Sequence, residues 1–377
     1  MHALLRPTIP SWRTTGCLLS LALAWVAASL PHSAAMAAGL TNTVAKTSAN
    51  TRAAPKAAAS KLPPSFTFAV LGDTPFSPIE EPSVRTVLSN IGESDAAFVV
   101  HTGNLKGPNE SCGDAVLTHR IALLASSVKP LVYIPGANEW ADCRHTADGA
   151  FNPVERLDFL RDHAFGTDAP LGQGTLDITR QSALARYRQY RENVRWMYNG
   201  IVFVGLNLPG NNNNYRTAGG RNGEFEDRVV ATRVWLQHAL VFAEQRKALG
   251  IVIFAQADPD FDATRARSGL RGLFSPRRHD GYAEFRSQLQ KLASRFKAPI
   301  LLIGSGTDLQ VSQPLRDVKG NGVKHFTRVT TYGSPVANRW VRIIVDARAS
   351  RLYSIDSAPT LARPAPAANA SSVEGGR

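Results

Sequence analysis

The sequence predicts an α/β fold, with parallel strands in the sheet and helices on its faces. Two observations carry this. Short apolar runs alternate with helical patterns from Phe66 to Ile303, and such alternation implies parallel pairing with helices covering the faces. Three of those runs end in loops of one kind, each with a glycine and an Asp or Asn.

The elements follow in order. Strand Phe66 to Leu71 precedes Val84, Val87, Leu88 and Ile91, a spacing that puts four apolar side chains on one helix face. Strand Ala96 to His101 leads to a helical pattern ending near Ser127, and strand Leu131 to Ile134 follows. Next come strand Ile201 to Leu206, helix Arg228 to Ala248, strand Ile251 to Phe254, a helix around Tyr282 to Phe296, and strand Ile300 to Ile303. The last runs, Phe326 to Thr331, Trp340 to Val345 and Leu352 to Ile355, have no helix between them and read as an antiparallel meander. The section from Asn152 to Asn199 is expected to cover one sheet edge. Within it, Arg180 to Arg195, interleaved with Tyr187 and Tyr190, reads as an exposed amphipathic helix; the same composition also suits an anion platform.

Four segments are expected along the 377 residues. Residues 1–38 have the charged, apolar and small-residue parts of a secretory signal peptide, and the apolar run is shorter than the roughly 20 residues of a spanning helix. Residues 39–64 and 358–377, rich in Ala and Ser with Lys or Pro, read as disordered linker and tail around a folded body at 65–357. Export implies a periplasmic or secreted location, where the remaining Cys112 and Cys143 are expected to form a disulfide. The net charge of +13 would ordinarily suggest nucleic acid, but an exported protein does not meet it, so none is expected as a partner. The charge fits an anionic envelope surface or a phosphorylated small molecule, or serves solubility alone.

The chemistry is expected where strands end. Leu71-Gly72-Asp73-Thr74-Pro75, His101-Thr102-Gly103-Asn104-Leu105-Lys106 and Pro135-Gly136-Ala137-Asn138-Glu139-Trp140 all follow strands. Loops leaving the carboxyl ends of parallel strands converge on one crevice, although Gly with Asp or Asn also serves plain turns. The run Asn211 to Asn214 lies at another strand end, as turn or ligand contact.

In order and spacing these loops resemble the first three signature motifs of the calcineurin-like metallophosphoesterases. The likeness continues at Phe254-Ala255-Gln256-Ala257-Asp258-Pro259, where the family has a His motif, and at Gly304-Ser305-Gly306-Thr307, where it has Gly-His-x-His. It spans about Phe66 to Asp346. A secreted bacterial subgroup is more similar still, with Pro in the first motif, Asn-Glu-Trp at the third and Gln-Ala at the fourth. The resemblance implies a four-layer α/β/β/α sandwich, a divalent metal cofactor of manganese, iron, zinc or magnesium type, and a phosphate or phosphoester ligand.

Residue by residue, the resemblance gives Asp73, Asn104, Asn138 and Glu139 as the catalytic candidates, with Asp73 and Asn138 as weak metal ligands. Lys106, Gln256 and Thr307 become candidates for substrate binding. The departures matter. Pro75 stands at a His position; Asn104 stands where an Asp bridges both metals; Gln256, Ser305 and Thr307 replace histidines. A neutral amide lacks the charge that holds two dications at roughly 3.5 to 4 Å. Glu139 acts as an acid only if burial raises its pKa. The expected function is a phosphoesterase relative with lost or much reduced hydrolase activity that keeps an anion-binding crevice. The alternative is an active phosphohydrolase on a reduced or shifted site, built from Asp73, Asp258 or Asp308 plus Asn138, with Asp260 also in or beside the motif loops. His101 reads as a hydrogen-bonded structural histidine.

Overall fold

A computed structural model of the chain describes residues 62–217, 222–261 and 279–359. The expected signal peptide, nearly all of the linker and nearly all of the tail lie outside the described residues, so the N-terminal and C-terminal segment boundaries carry over as expectations. Among the described residues no helix is long and apolar enough to cross a membrane.

Two mixed sheets stack with helices outside, so the α/β class and the four-layer order hold. The first sheet contains β1 (Phe66–Leu71), β2 (Ala96–His101), β3 (Leu131–Tyr133), β11 (Arg339–Val345) and β12 (Tyr353–Pro359), in the order β12-β11-β1-β2-β3. The second contains β4 (Ile178–Arg180), β5 (Val194–Tyr198), β6 (Ile201–Gly205), β7 (Gly250–Phe254), β8 (Ile300–Gly304), β9 (Gln310–Ser312) and β10 (Phe326–Thr330), in the order β4-β5-β6-β7-β8-β10-β9. Strands β1, β2 and β3 run parallel, as do β6, β7, β8 and β10.

Period-two alternation builds the layers. In β1, Phe68 and Val70 face the second sheet while Ala69 and Leu71 face helices. An aromatic cluster fills the space between the sheets: Phe68 stacks on Phe98 at 5.3 Å and meets Phe203 edge-on at 5.3 Å. Each such ring contributes roughly 1.5–3 kcal/mol on burial. Helix α1 (Glu81–Glu93) buries Val84, Val87, Leu88 and Ile91, the face its spacing predicts, beside α2 (Asp114–Ala125) and α3 (Pro153–His163). On the other side lie α4 (Gly223–Gln245) and α5 (Ala283–Arg295).

Two expectations are corrected. The three last strands are not one meander: β11 and β12 pair antiparallel in the first sheet, while β10 pairs parallel with β8 in the second. Residues 331–338 carry the chain from one sheet to the other, a crossing that apolar alternation does not signal. The Arg-rich segment is not a helix; it is two 3-10 turns, Gln181–Ala183 and Ala185–Tyr187, between β4 and β5. Arg186 and Arg188 are exposed, while the arginines at its ends are engaged locally. Arg180 donates to the carbonyls of Thr167, Ala169 and Arg191, and Arg195 lies 4.1 Å over the Phe242 ring.

Candidate functional site

The loops after β1, β2 and β3 meet those after β7, β8 and β10 at one end of the sandwich. Backbone bonds lace them together: Asp73 N–H donates to Gly103 O at 2.9 Å, and Ser334 N–H to Asp73 O at 2.7 Å. Asp73 and Asn104 both hold positive φ, 50° and 55°, a region where Asp and Asn are among the more tolerant residues. Gly136 is required by contact, since a Cβ there would sit 2.3 Å from Asn104 N.

The structure brings together Asp73, Asn104, Asn138, Gln256 and Ser305. Asn104 Oδ1 accepts from Asn138 N–H at 3.0 Å, and Asn138 Nδ2 donates to Lys106 O at 2.9 Å. Gln256 Oε1 accepts from Ala137 N–H at 3.2 Å and from Gly210 N–H at 2.5 Å. Ser305 Oγ donates to Thr102 O at 3.0 Å.

Two expected roles are not met, those of Lys106 and Glu139, and a third candidate lies at the edge of the cleft. Thr307 is exposed on the rim, and its carbonyl lies 3.5 Å from Gly333 N. Lys106 is fully buried: its ammonium donates to Gly107 O, Glu110 O and Asp148 Oδ1 at 3.0, 2.6 and 2.8 Å. All three donors are therefore taken, and Lys106 is half of a structural ion pair rather than a phosphate ligand. Glu139 is also fully buried, its Oε1 accepting from Tyr133 Oη at 2.7 Å, Gly136 N–H at 2.5 Å and Asn104 N–H at 3.1 Å. Burial does raise its pKa, against the pull of the Gly136 and Tyr133 hydrogen bonds; its Oε1 braces two loops, while its Oε2 is buried without a hydrogen-bond partner.

Electrostatics single out Asp73. Burial raises its carboxyl to about 7; Ser305 and Asn104 pull the other way, and the Glu139 charge adds to the rise. Its Oδ1 is shielded from water and lacks a hydrogen-bond partner. His101 behaves as a structural histidine: Nε2 donates to Thr74 O at 2.8 Å, Nδ1 accepts from Gly103 N–H at 3.2 Å, and burial lowers its pKa to about 4. One neutral tautomer is thus fixed.

The residues present do not fit a pair of divalent metals. The orphaned Asp73 Oδ1 invites a cation, but the oxygens of Asn104 and Gln256 already accept backbone N–H groups. Asp258 pairs with Arg328 at 2.8 Å, and Asp260 and Asp308 are exposed. Among the described residues, no three His, Cys, Asp or Glu side chains cluster so as to hold a metal ion. Hard dications need more anionic oxygen than one carboxylate supplies.

Two further features frame the cleft. Cys112 and Cys143 form a disulfide, Cα–Cα 5.7 Å, joining the loops after β2 and β3. Asn211 to Asn214 form a left-handed turn, φ 52–59°, whose side chains are all engaged. Among these bonds, Asn211 Nδ2 donates to Asp142 Oδ1 at 2.6 Å and Asn214 Nδ2 to Glu224 Oε2 at 2.8 Å. The turn pins the cleft wall to α4. Sequence reasoning missed Gly333 and Ser334, which pack on Asp73 from the crossing loop, and Tyr133 and Asp148, the partners of Glu139 and Lys106. Only turn-forming Gly-Ser-Pro at 333–335 marked the first pair; nothing local marked the second.

No family model and no curated protein matches the chain. Among solved structures it is similar to the purple acid phosphatase PPD1 of yellow lupin seeds, with a TM-score of 0.41 and 11% identity over 78% of this chain and 54% of that one. It is also similar to the sulfate thiohydrolase SoxB of Thermus thermophilus in complex with glycerol, with a TM-score of 0.35 and 10% identity over 74% of this chain and 42% of that one. The chain spans about half the length of these two structures. Neither likeness assigns a family or an activity to it.

Proposed function

We propose that the chain is an exported relative of the calcineurin-like metallophosphoesterases with lost or much reduced phosphoester hydrolase activity, and that its cleft binds phosphate or another small anion. The observation that carries this reading is the engagement of Asn104: its side-chain oxygen, at the position of the bridging carboxylate, accepts from Asn138 N–H. Gln256 directs its oxygen to two backbone N–H groups, which leaves its amide nitrogen as a donor to a ligand. Burial holds Asp73 well above the ordinary carboxylate range, at about 7, so its repulsion of an anion is partly relieved. Disulfide formation suits an oxidising compartment.

One observation favours a second reading. Asp73 Oδ1, buried and without a partner, suits a single cation, and hence a hydrolase with a reduced metal site.

Metal analysis of chain purified without chelator separates the two, together with turnover of phosphomonoester and phosphodiester in added manganese and calorimetric titration with inorganic phosphate. The expected result is substoichiometric metal, background turnover and saturable phosphate binding. Stoichiometric metal with turnover that Asp73→Ala abolishes would establish the hydrolase instead.

A further inference from the structure

The opposite end of the sandwich holds a cavity of about 580 Å³, within the roughly 300–1,000 Å³ of small-molecule sites. It opens where β8 and β10 begin, at Pro299, Leu301 and Thr327, and where the turn before β12 folds back over them. The candidate cleft lies at the other end of the same strands, roughly 15 Å away at about 3.3 Å per residue.

Its walls are of two kinds. Leu301, Leu352, Tyr353 and Ile355 line it and belong to or pack against the apolar layer between the sheets, so the cavity is a gap at the edge of that layer. Lys324 and Arg351 also line it, both exposed, and neither has an acidic partner among the described residues. No Asp or Glu is among the lining residues. His325 lines it too, its Nε2 held by Ala293 O at 3.0 Å.

Tyr353 also lines the cavity, but its hydroxyl is shielded from water and lies against Gly250, where a Cβ would sit 2.2 Å from the oxygen. Gly250 is not among the lining residues, so the hydroxyl is turned away from the space.

We propose that this cavity is a binding site for a single-chain amphipathic anion of the fatty-acid or monoacyl-phosphate class. The apolar chain lies along Leu352 and Ile355, and the anionic head sits between Lys324 and Arg351. An apolar wall removed from water supplies affinity, and two unpaired cations at the mouth choose the head group. The site is independent of the cleft and of its proposed function.

Calorimetric titration of the full chain with laurate, kept below its micellar range, tests this. We expect one saturable site per chain, at least about tenfold weaker binding of uncharged dodecanol, and no competition from inorganic phosphate. Lys324→Glu and Arg351→Glu, both at exposed positions, should each weaken laurate by roughly tenfold. Val311→Trp, which narrows the mouth from the exposed edge strand without changing charge, should weaken it comparably. Dodecyl phosphate binding like laurate supports the shared chemistry. Three outcomes overturn the proposal: no saturable binding of monomeric laurate, an affinity unmoved in all three variants, or binding to phosphatidylglycerol vesicles alone.

Discussion

Asn104 Oδ1 accepts the Asn138 backbone N–H at 3.0 Å, so Asn104 ties the loop after β2 to the loop after β3. The amide performs a carboxylate's hydrogen-bonding role without its charge.

Asn104→Asp should therefore restore cation affinity without unfolding the loop. An aspartate keeps an oxygen for Asn138 N–H, and its second oxygen adds charge beside Asp73. Two carboxylates crowded in a partly buried site repel, and a cation relieves them. We expect manganese affinity to rise at least about tenfold by calorimetry, with lower thermal stability at pH 8 that added manganese recovers. Unchanged affinity would show that Asn104 does not sit where a metal would bind.

The pKa of Asp73 sets a pH signature. Its folded value of about 7 lies above the ordinary 3.8, so the folded chain holds a proton that the unfolded chain has released. The stability this confers is present in full below about pH 3.8 and is lost as pH rises through about 7. Asp73→Asn removes the dependence, and chemical denaturation should find the variant more stable than the parent at pH 8 by on the order of 2–4 kcal/mol, with little difference at pH 4. Comparing the two chains isolates Asp73 from His101, whose lowered pKa of about 4 acts in the opposite sense, weakening the fold as pH falls from about 6.5. Phosphate affinity should rise more from pH 8 to pH 6 in the parent than in Asp73→Asn, where only the phosphate itself titrates. A parallel rise in both would remove Asp73 from the anion site.

Much of the fold was legible because its strands are short apolar runs and its helices have one apolar face. The bounds of β1 and β2, and the buried face of α1, match the pattern residue for residue. What was hidden is non-local. Residue Arg328 in β10 pairs with Leu302 in β8 and Ser312 in β9, and no local pattern says which sheet a strand joins. The convergence of Asp73, Asn104, Asn138 and Gln256 followed from their strand-end positions. The burial of Glu139 and Lys106 did not, because a charged residue is ordinarily exposed unless a partner distant in sequence neutralises it, and Asp148 lies 42 residues from Lys106.

The Cys112–Cys143 disulfide closes a loop of 31 residues around Asn138. Loop entropy gives it roughly 3–4 kcal/mol. The Cys112→Ser/Cys143→Ser double variant should lose about that much in denaturant unfolding. Amide exchange should also quicken at Asn138 and Glu139, because the bridge clamps the segments on either side of them. Loss of stability with unaltered exchange there would confine the bridge to the unfolded state and deny it a part in holding the cleft.

Lys106 and Asp148 form the most deeply buried ion pair near the cleft, with both side chains nearly inaccessible and 2.8 Å apart. Removing one partner of such a pair strands the other charge in the interior, at a cost of about 3–5 kcal/mol. Lys106→Met should accordingly destabilise the chain by about that amount in denaturant unfolding. Adding Asp148→Asn, which removes the stranded charge, should recover part of it. The double variant also separates the structural role from a ligand-binding one: since the ammonium's three donors point to Gly107, Glu110 and Asp148 rather than to the cleft, its phosphate affinity should equal that of the parent. A folded double variant that binds phosphate tenfold more weakly would return Lys106 to the anion site.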